Sequence, residues 1–222
     1  MRPTPIASAR HTTAVVLIFV VLGLAGGTLA GSGGVQSTTP NGSQILQLYL
    51  SILLMEWGSV YYVWVGIHRS TTLGSLVAGR WNQARDIAID VAVAAASWLL
   101  WLSIQTWLPS PATDMQRFLP QGLMQSAAWI PVALSAGICE EIVFRGYLQR
   151  QFHAFSGSLA AAVGAQALVF AFAHFYEGAW AVARIAGYGV LLGIVAAWRR
   201  SLRPGMIAHT WSDLFGVVSW IR

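Results

Sequence analysis

Seven apolar stretches, each close to or longer than one bilayer crossing, follow one another along this chain, at about 12–30, 44–67, 86–108, 122–152, 157–175, 178–198 and 204–221. A transmembrane helix takes about 20 predominantly apolar residues. With 56% hydrophobic and only 9% charged residues among 222, the chain cannot cover a water-soluble body. The reading is an all-α protein, a polytopic membrane helical bundle of about seven transmembrane helices. It is expected to form a single integral membrane domain over 1–222, with the lipid bilayer as its solvent and no separate soluble domain. The fourth stretch exceeds one crossing, so it is expected to run on as helix beyond the hydrocarbon.

All thirteen basic residues are arginine, and the formal charge is +5. On a soluble domain that balance would suggest nucleic acid; here the arginines fall in short loops and read as topology, so no nucleic-acid partner is expected. Arg2 and Arg10 precede the first stretch, Arg69, Arg80 and Arg85 follow the second, Arg145 and Arg150 end the fourth, and Arg199, Arg200 and Arg203 follow the sixth. Lys and Arg concentrate on the cytoplasmic side, which puts the N-terminus inside and the C-terminus outside; the opposite loops carry only Arg117 and the terminal Arg222. A rival reading of the start is a cleaved signal peptide ending at Thr28-Leu29-Ala30. Between stretches, 31–43 is an uncharged Gly/Ser/Thr loop, while 68–85 carries Leu73, Leu76, Val77 and Trp81 at helical spacing and is expected to lie as an interfacial helix. Gly23, Gly27 and Gly31, and Gly189 and Gly193, recur every four residues and read as close helix packing. The lone Cys139 excludes an internal disulfide and reads as a packing residue, and His11, His68 and His153 read as solvated near the interfaces.

Ionisable groups inside a membrane segment are expensive and mark functional sites. The densest cluster is Cys139-Glu140-Glu141-Ile142-Val143-Phe144-Arg145, and two later stretches carry Phe170-x-x-x-His174 and His209-x-x-x-Asp213. Residues four apart share a helix face, so Glu141 can pair with Arg145, Phe170 can flank His174, and His209 lies beside Asp213. Glu140 and Glu141 diverge by about 100 degrees; Glu140 is assigned to a cavity and Glu141 to Arg145, with the reverse open. If the fourth and fifth stretches form a hairpin turning near 155–157, Glu140 and His174 stand at similar heights, ~24 to 27 Å from the turn at 1.5 Å per residue. His209 and Asp213 lie ~9 to 15 Å up their own helix from Arg203, so the turn must project past the membrane face for all to meet. Glu56, Asp90 and Arg184 also fall within stretches, with structural and substrate-gating roles equally open.

The three motifs in order, Glu140-Glu141-x-x-x-Arg145, Phe170-x-x-x-His174 and His209-x-x-x-Asp213, resemble the CPBP family, which includes type II CAAX prenyl endopeptidases and bacteriocin-processing or immunity membrane proteins. The resemblance covers about 131–220, within a catalytic core of about 122–221. It implies an intramembrane protease of the hydrolase class acting on a membrane-associated or membrane-anchored protein, in a bacterial plasma (inner) membrane. By matching position it implies that Glu140 and His174 hold and activate the attacking water, while His209 and Asp213 stabilise the oxyanion and Glu141 and Arg145 complete the first motif. Some relatives carry Asn at the position of Asp213, and an ionised Asp cannot donate to an oxyanion; here it is either protonated or orients His209. No cofactor is favoured. A divalent metal such as zinc is the competing mechanism, although no His-Glu-x-x-His is present. The alternatives are a C-terminal anchor-sorting peptidase of the same family, a non-catalytic immunity or scaffold membrane protein, and, from another class, ion or proton transport, which no pair of broken, repeated helices supports.

Overall fold

The computed structural model describes residues 3–31, 41–108 and 119–218. Their structure is helical, with one isolated β-bridge between Ala78 and Ser201. The helices are α1 (Ala9–Gly31), α2 (Gly42–Ile67), the short α3 (Leu73–Val77), α4 (Ala84–Gln105), α5 (Leu123–Glu140), a π-helical segment (Glu141–Leu148), α6 (Gln149–Ser156), α7 (Leu159–Ala173), a 3-10 turn (Phe175–Glu177), α8 (Ala179–Arg199) and α9 (Arg203–Val218). Five rods among the described residues are long and apolar enough to cross a membrane: the first part of α1, α2, α4, the continuous Leu123–Ser156 and α8; α7 is a shorter apolar helix. The protein is a multi-pass membrane bundle.

Local chemistry explains the element ends. Asn41 caps α2 by accepting from the Gln44 backbone while the Gln44 side chain accepts from the Asn41 backbone, a reciprocal capping box. The rod Leu123–Ser156 has 34 residues, ~51 Å at 1.5 Å per residue against ~30 Å of hydrocarbon, so it overruns one crossing as expected. It stops at Gly157, whose φ of +72° suits a residue without Cβ. Ser158 then caps α7 by accepting from Ala161. The hairpin between the fourth and fifth stretches therefore turns at the expected place.

Helices meet where small residues allow it. A Cβ on Gly137 would collide with the Thr210 hydroxyl and meet the Met206 carbonyl, so α5 and α9 touch backbone to backbone there. Gly23 faces the Phe172 carbonyl of α7, and Gly189 and Gly193 face Ala167 and Gln166. Buried amides fasten the same contacts: Gln166 donates to the Gly189 carbonyl at 2.9 Å and Gln149 to the Gly193 carbonyl at 3.0 Å. Cys139 is a buried free cysteine in the main core, with Phe144, Tyr147, Leu148 and Phe170.

Three expectations change. The 68–85 segment is helical only over Leu73–Val77, and Leu76 is fully buried in the bundle instead of resting in lipid, because Arg150 donates to the Ser75 and Leu76 carbonyls and Leu202 donates to Val77. Arg145 belongs to the core, 2% exposed, and not to the arginines that mark a membrane face. His11 is drawn in from the interface: it stacks on Tyr62 and hydrogen-bonds the Tyr147 hydroxyl at 2.8 Å and the Tyr62 carbonyl at 3.0 Å. Arg2, Arg117, Arg222 and most of the 31–43 loop lie outside the described residues.

Candidate active site

α5 ends on Glu140 and the π-helical turns begin at Glu141, so the adjacent carboxylates straddle a change of helical pitch inside one rod. Such segments occur frequently at functional sites. Glu140 lines a cavity of about 240 Å³ between α2, α5 and α9, together with His174, His209 and Asp213. Glu141 takes the other direction. Fully buried, it lies 2.9 Å from Arg145 Nη1, and its Oε1 accepts from His209 Nδ1 at 3.2 Å. The Arg145 contact is close without meeting hydrogen-bond geometry, and the guanidinium lies over the Phe170 ring, 4.4 Å from its centroid.

His209 is thus held at both nitrogens. Nδ1 faces Glu141, while Nε2 is 3.5 Å from Glu140 Oε2 and 3.9 Å from Asp213 Oδ2. Its ring packs edge-on against Phe170 and Tyr188, and the Tyr188 hydroxyl bonds Ser212 at 2.8 Å. The gap left by Gly137 and Gly205 makes this approach possible; a Cβ on Gly205 would press on Glu141 Oε2 at 2.8 Å. α9 is also tied to α5 by the Trp129 indole, which donates to the Asp213 carbonyl at 3.0 Å.

His174 closes α7 and is held differently. Its Nδ1 donates to the Phe170 carbonyl at 2.9 Å, so in the neutral ring Nε2 is an acceptor. The Phe170 ring stands edge-on to His174, 4.9 Å between centroids. One aromatic ring therefore touches both histidines and Arg145, which is the packing reason for the Phe four residues before His174. Beyond His174, Glu177 lies in the 3-10 turn; burial raises its carboxyl above the ordinary value, with His174 opposing the shift and Glu140 adding to it.

A second cavity, about 480 Å³, lies on the far side of the histidines against α4 and α8. His174, Glu177, His209 and Asp213 line both cavities, so the two meet at the imidazoles. Arg184, Tyr188 and Ser212 face only the second, Glu56 and Glu140 only the first. Asp90, in contrast, is structural: it pairs with Arg199 at 3.0 Å and accepts from the Trp81 indole at 2.9 Å.

Sequence reasoning named Glu140, Glu141, Arg145, His174, His209 and Asp213, and all six gather around this point. It did not place Glu56, Glu177, Tyr188 or Ser212 there. Glu56 and Glu177 were visible as ionisable residues at or within apolar stretches, and Ser212 stands three residues after His209 on the same helix; nothing in the spacing singles out Tyr188. Among the described residues, no group of three His, Cys, Asp or Glu side chains is arranged to hold a metal ion. His174 Nδ1 is bound to a carbonyl and His209 Nδ1 to Glu141, so Nε2 is the remaining nitrogen of each ring.

Residues 121–215 match the family described as Type II CAAX prenyl endopeptidase Rce1-like. That segment contains all three motifs, and the match agrees with the resemblance they carry. By its description the family is one of endopeptidases. No curated protein and no solved structure matches the chain.

Proposed function

We propose that this protein is an intramembrane endopeptidase that hydrolyses a peptide bond in a membrane-associated or membrane-anchored protein, using water activated by Glu140 and His174. The observation that carries the reading is that Glu140, His174, His209 and Asp213, delivered by three separate elements, line one cavity inside a membrane bundle. The match to an endopeptidase family over 121–215 supports it. Prenylation of the substrate is not part of the proposal.

In this reading a water held between the Glu140 carboxylate and His174 Nε2 gives a proton to Glu140 as its oxygen adds to the substrate carbonyl carbon. The negative charge gathers on the former carbonyl oxygen. His209, carrying both ring protons, donates from Nδ1 to Glu141 and from Nε2 into the cavity, where it stabilises that oxyanion. The C–N bond then breaks as Glu140 returns its proton to the departing amine, which leaves a carboxylic acid and an amine and restores the carboxylate. Asp213, 3.9 Å from His209 Nε2, serves to hold the ring. No step is routed through a metal.

The test is cleavage of membrane proteins by purified protein, compared between wild type and two variants. Glu140→Gln and His174→Ala are expected to lose at least about 100-fold in rate, the scale of general acid–base catalysis, with unchanged melting temperature. Turnover near the wild-type rate in either folded variant removes the assigned role. Activity that survives exhaustive metal removal is expected as well, and activity restored only by added zinc would overturn the metal-free route.

A further inference from the structure

The first cavity has a feature that the water-activating chemistry leaves unused. Glu56, from α2, is 3% exposed, and its Oε2 is buried with no hydrogen-bond partner among the described residues. It faces the cavity that Glu140, Glu177 and Asp213 also line, so four carboxyl groups border one space. Among the described residues no arginine lines that cavity, and neither of its imidazoles is hydrogen-bonded to Glu56: His209 Nδ1 is bound to Glu141 and His174 Nδ1 to the Phe170 carbonyl. The rest of the wall is largely apolar, with Leu48 and Ile52 on the α2 side and Val132 and Ala136 on the α5 side. Glu56 also lies outside 121–215, the segment that matches the endopeptidase family.

We propose that Glu56 makes this cavity a subsite for an apolar substrate segment carrying one basic side chain, lysine or arginine, close to the bond to be cut. A carboxyl group enclosed by apolar walls lacks the solvation that water would supply, and a cation is the partner that best replaces it. A segment of apolar residues fills the α2–α5 slot, and its ammonium or guanidinium group reaches the carboxyl groups at the histidine end. The same acidic wall disfavours segments with Asp or Glu at that position, so the cavity selects by repulsion as well as by attraction. Glu56 is thus a specificity residue, and the inference rests on the cavity being the substrate site of the proposed peptidase.

Binding tests it without depending on turnover. The probes are two fluorescent leucine–alanine peptides, identical except that one has a central lysine where the other has norleucine, titrated onto full-length protein in lipid nanodiscs, with empty nanodiscs as the partition control. Wild-type protein is expected to bind the lysine peptide about tenfold more tightly than its neutral twin. Glu56→Gln is expected to remove that preference, and Glu56→Asp, which keeps the carboxyl group, to retain most of it. Equal affinity of wild type for the two peptides, binding of neither above the control, or a lysine preference that survives in Glu56→Gln each overturns the proposal. A lysine preference that depends on Glu56, in a protein that cleaves nothing, would leave this subsite standing and sink the peptidase reading instead.

Discussion

At the residue scale, Glu141 and Arg145 separate stability from chemistry. The pair is buried with 0% exposure on both side chains, and Glu141 and the Phe170 ring lie against the Arg145 guanidinium. Breaking a buried pair by removing one partner costs about 3–5 kcal/mol, whereas replacing both with apolar groups is often neutral. Arg145→Ala is therefore expected to lower the melting temperature and folded yield sharply, and the double variant Glu141→Leu/Arg145→Met to recover much of both. The double variant is still expected to be inactive, because His209 Nδ1 has lost the carboxylate that orients it. Recovery of activity along with stability would show that Glu141 only neutralises Arg145. The i,i+4 spacing made this pair readable from the sequence, as it did the face shared by His209 and Asp213. It could not reveal that Glu141 serves two partners, since the second arrives from a helix 68 positions away. Glu56 was hidden for the same reason: a carboxylate with no motif around it says that it sits in a membrane segment and nothing about which cavity it meets.

At the scale of elements, the site depends on how closely α5 and α9 approach. The contact at Gly137 leaves no room for a methyl group against Thr210 and Met206. Gly137→Ala is expected to cost about 1–3 kcal/mol as an overpacked contact and to reduce activity out of proportion to that loss, because separating the helices draws His209 away from both carboxylates. Gly164→Ala on α7 is the control. A Cβ there meets nothing within 4 Å, and an alanine in a helix interior is favoured over glycine by about 1 kcal/mol, so stability should hold or rise with activity unchanged. Thermal melts of the two variants beside cleavage rates decide it; equal effects at both positions would mean that the α5–α9 contact has no special role. Element positions were largely legible, because apolar runs, the Gly157 turn and the Ser158 cap are local signals. The π-helical segment was not, since a single Gly146 does not specify helical pitch and all eight residues of Glu141–Leu148 are buried, so tertiary packing decides the pitch there.

At the scale of the whole molecule, eight of the arginines sort onto one end. Gln151 of α6 accepts from the Ile6 backbone ahead of α1 at 2.7 Å, Arg150 reaches the α3 carbonyls, Ala78 bridges to Ser201, and Arg203 lies over Trp81 at 4.9 Å. These contacts draw together the start of α1, the segment after α2, the start of α4, and the α6 and α8–α9 ends. Arg10, Arg69, Arg80, Arg85, Arg150, Arg199, Arg200 and Arg203 are carried by just those segments. The far ends of α4 and of the long rod, at Thr106 and Gln121, lie a full helix length away, ~33 Å for the 22 residues of α4. Since basic residues stay on the cytoplasmic side, the arginine end should face the cytoplasm with the N-terminus. Cys139 is the only cysteine and is buried, which permits a clean test in a Cys139→Ala background. Cysteines at His68 and Ser156 are expected to react with a membrane-impermeant maleimide only after the membrane is opened, while cysteines at Thr106 and Gln121 react in intact cells. The opposite pattern would invert the orientation, and labelling of His68 and Ser156 from different sides would break the single basic face on which it depends.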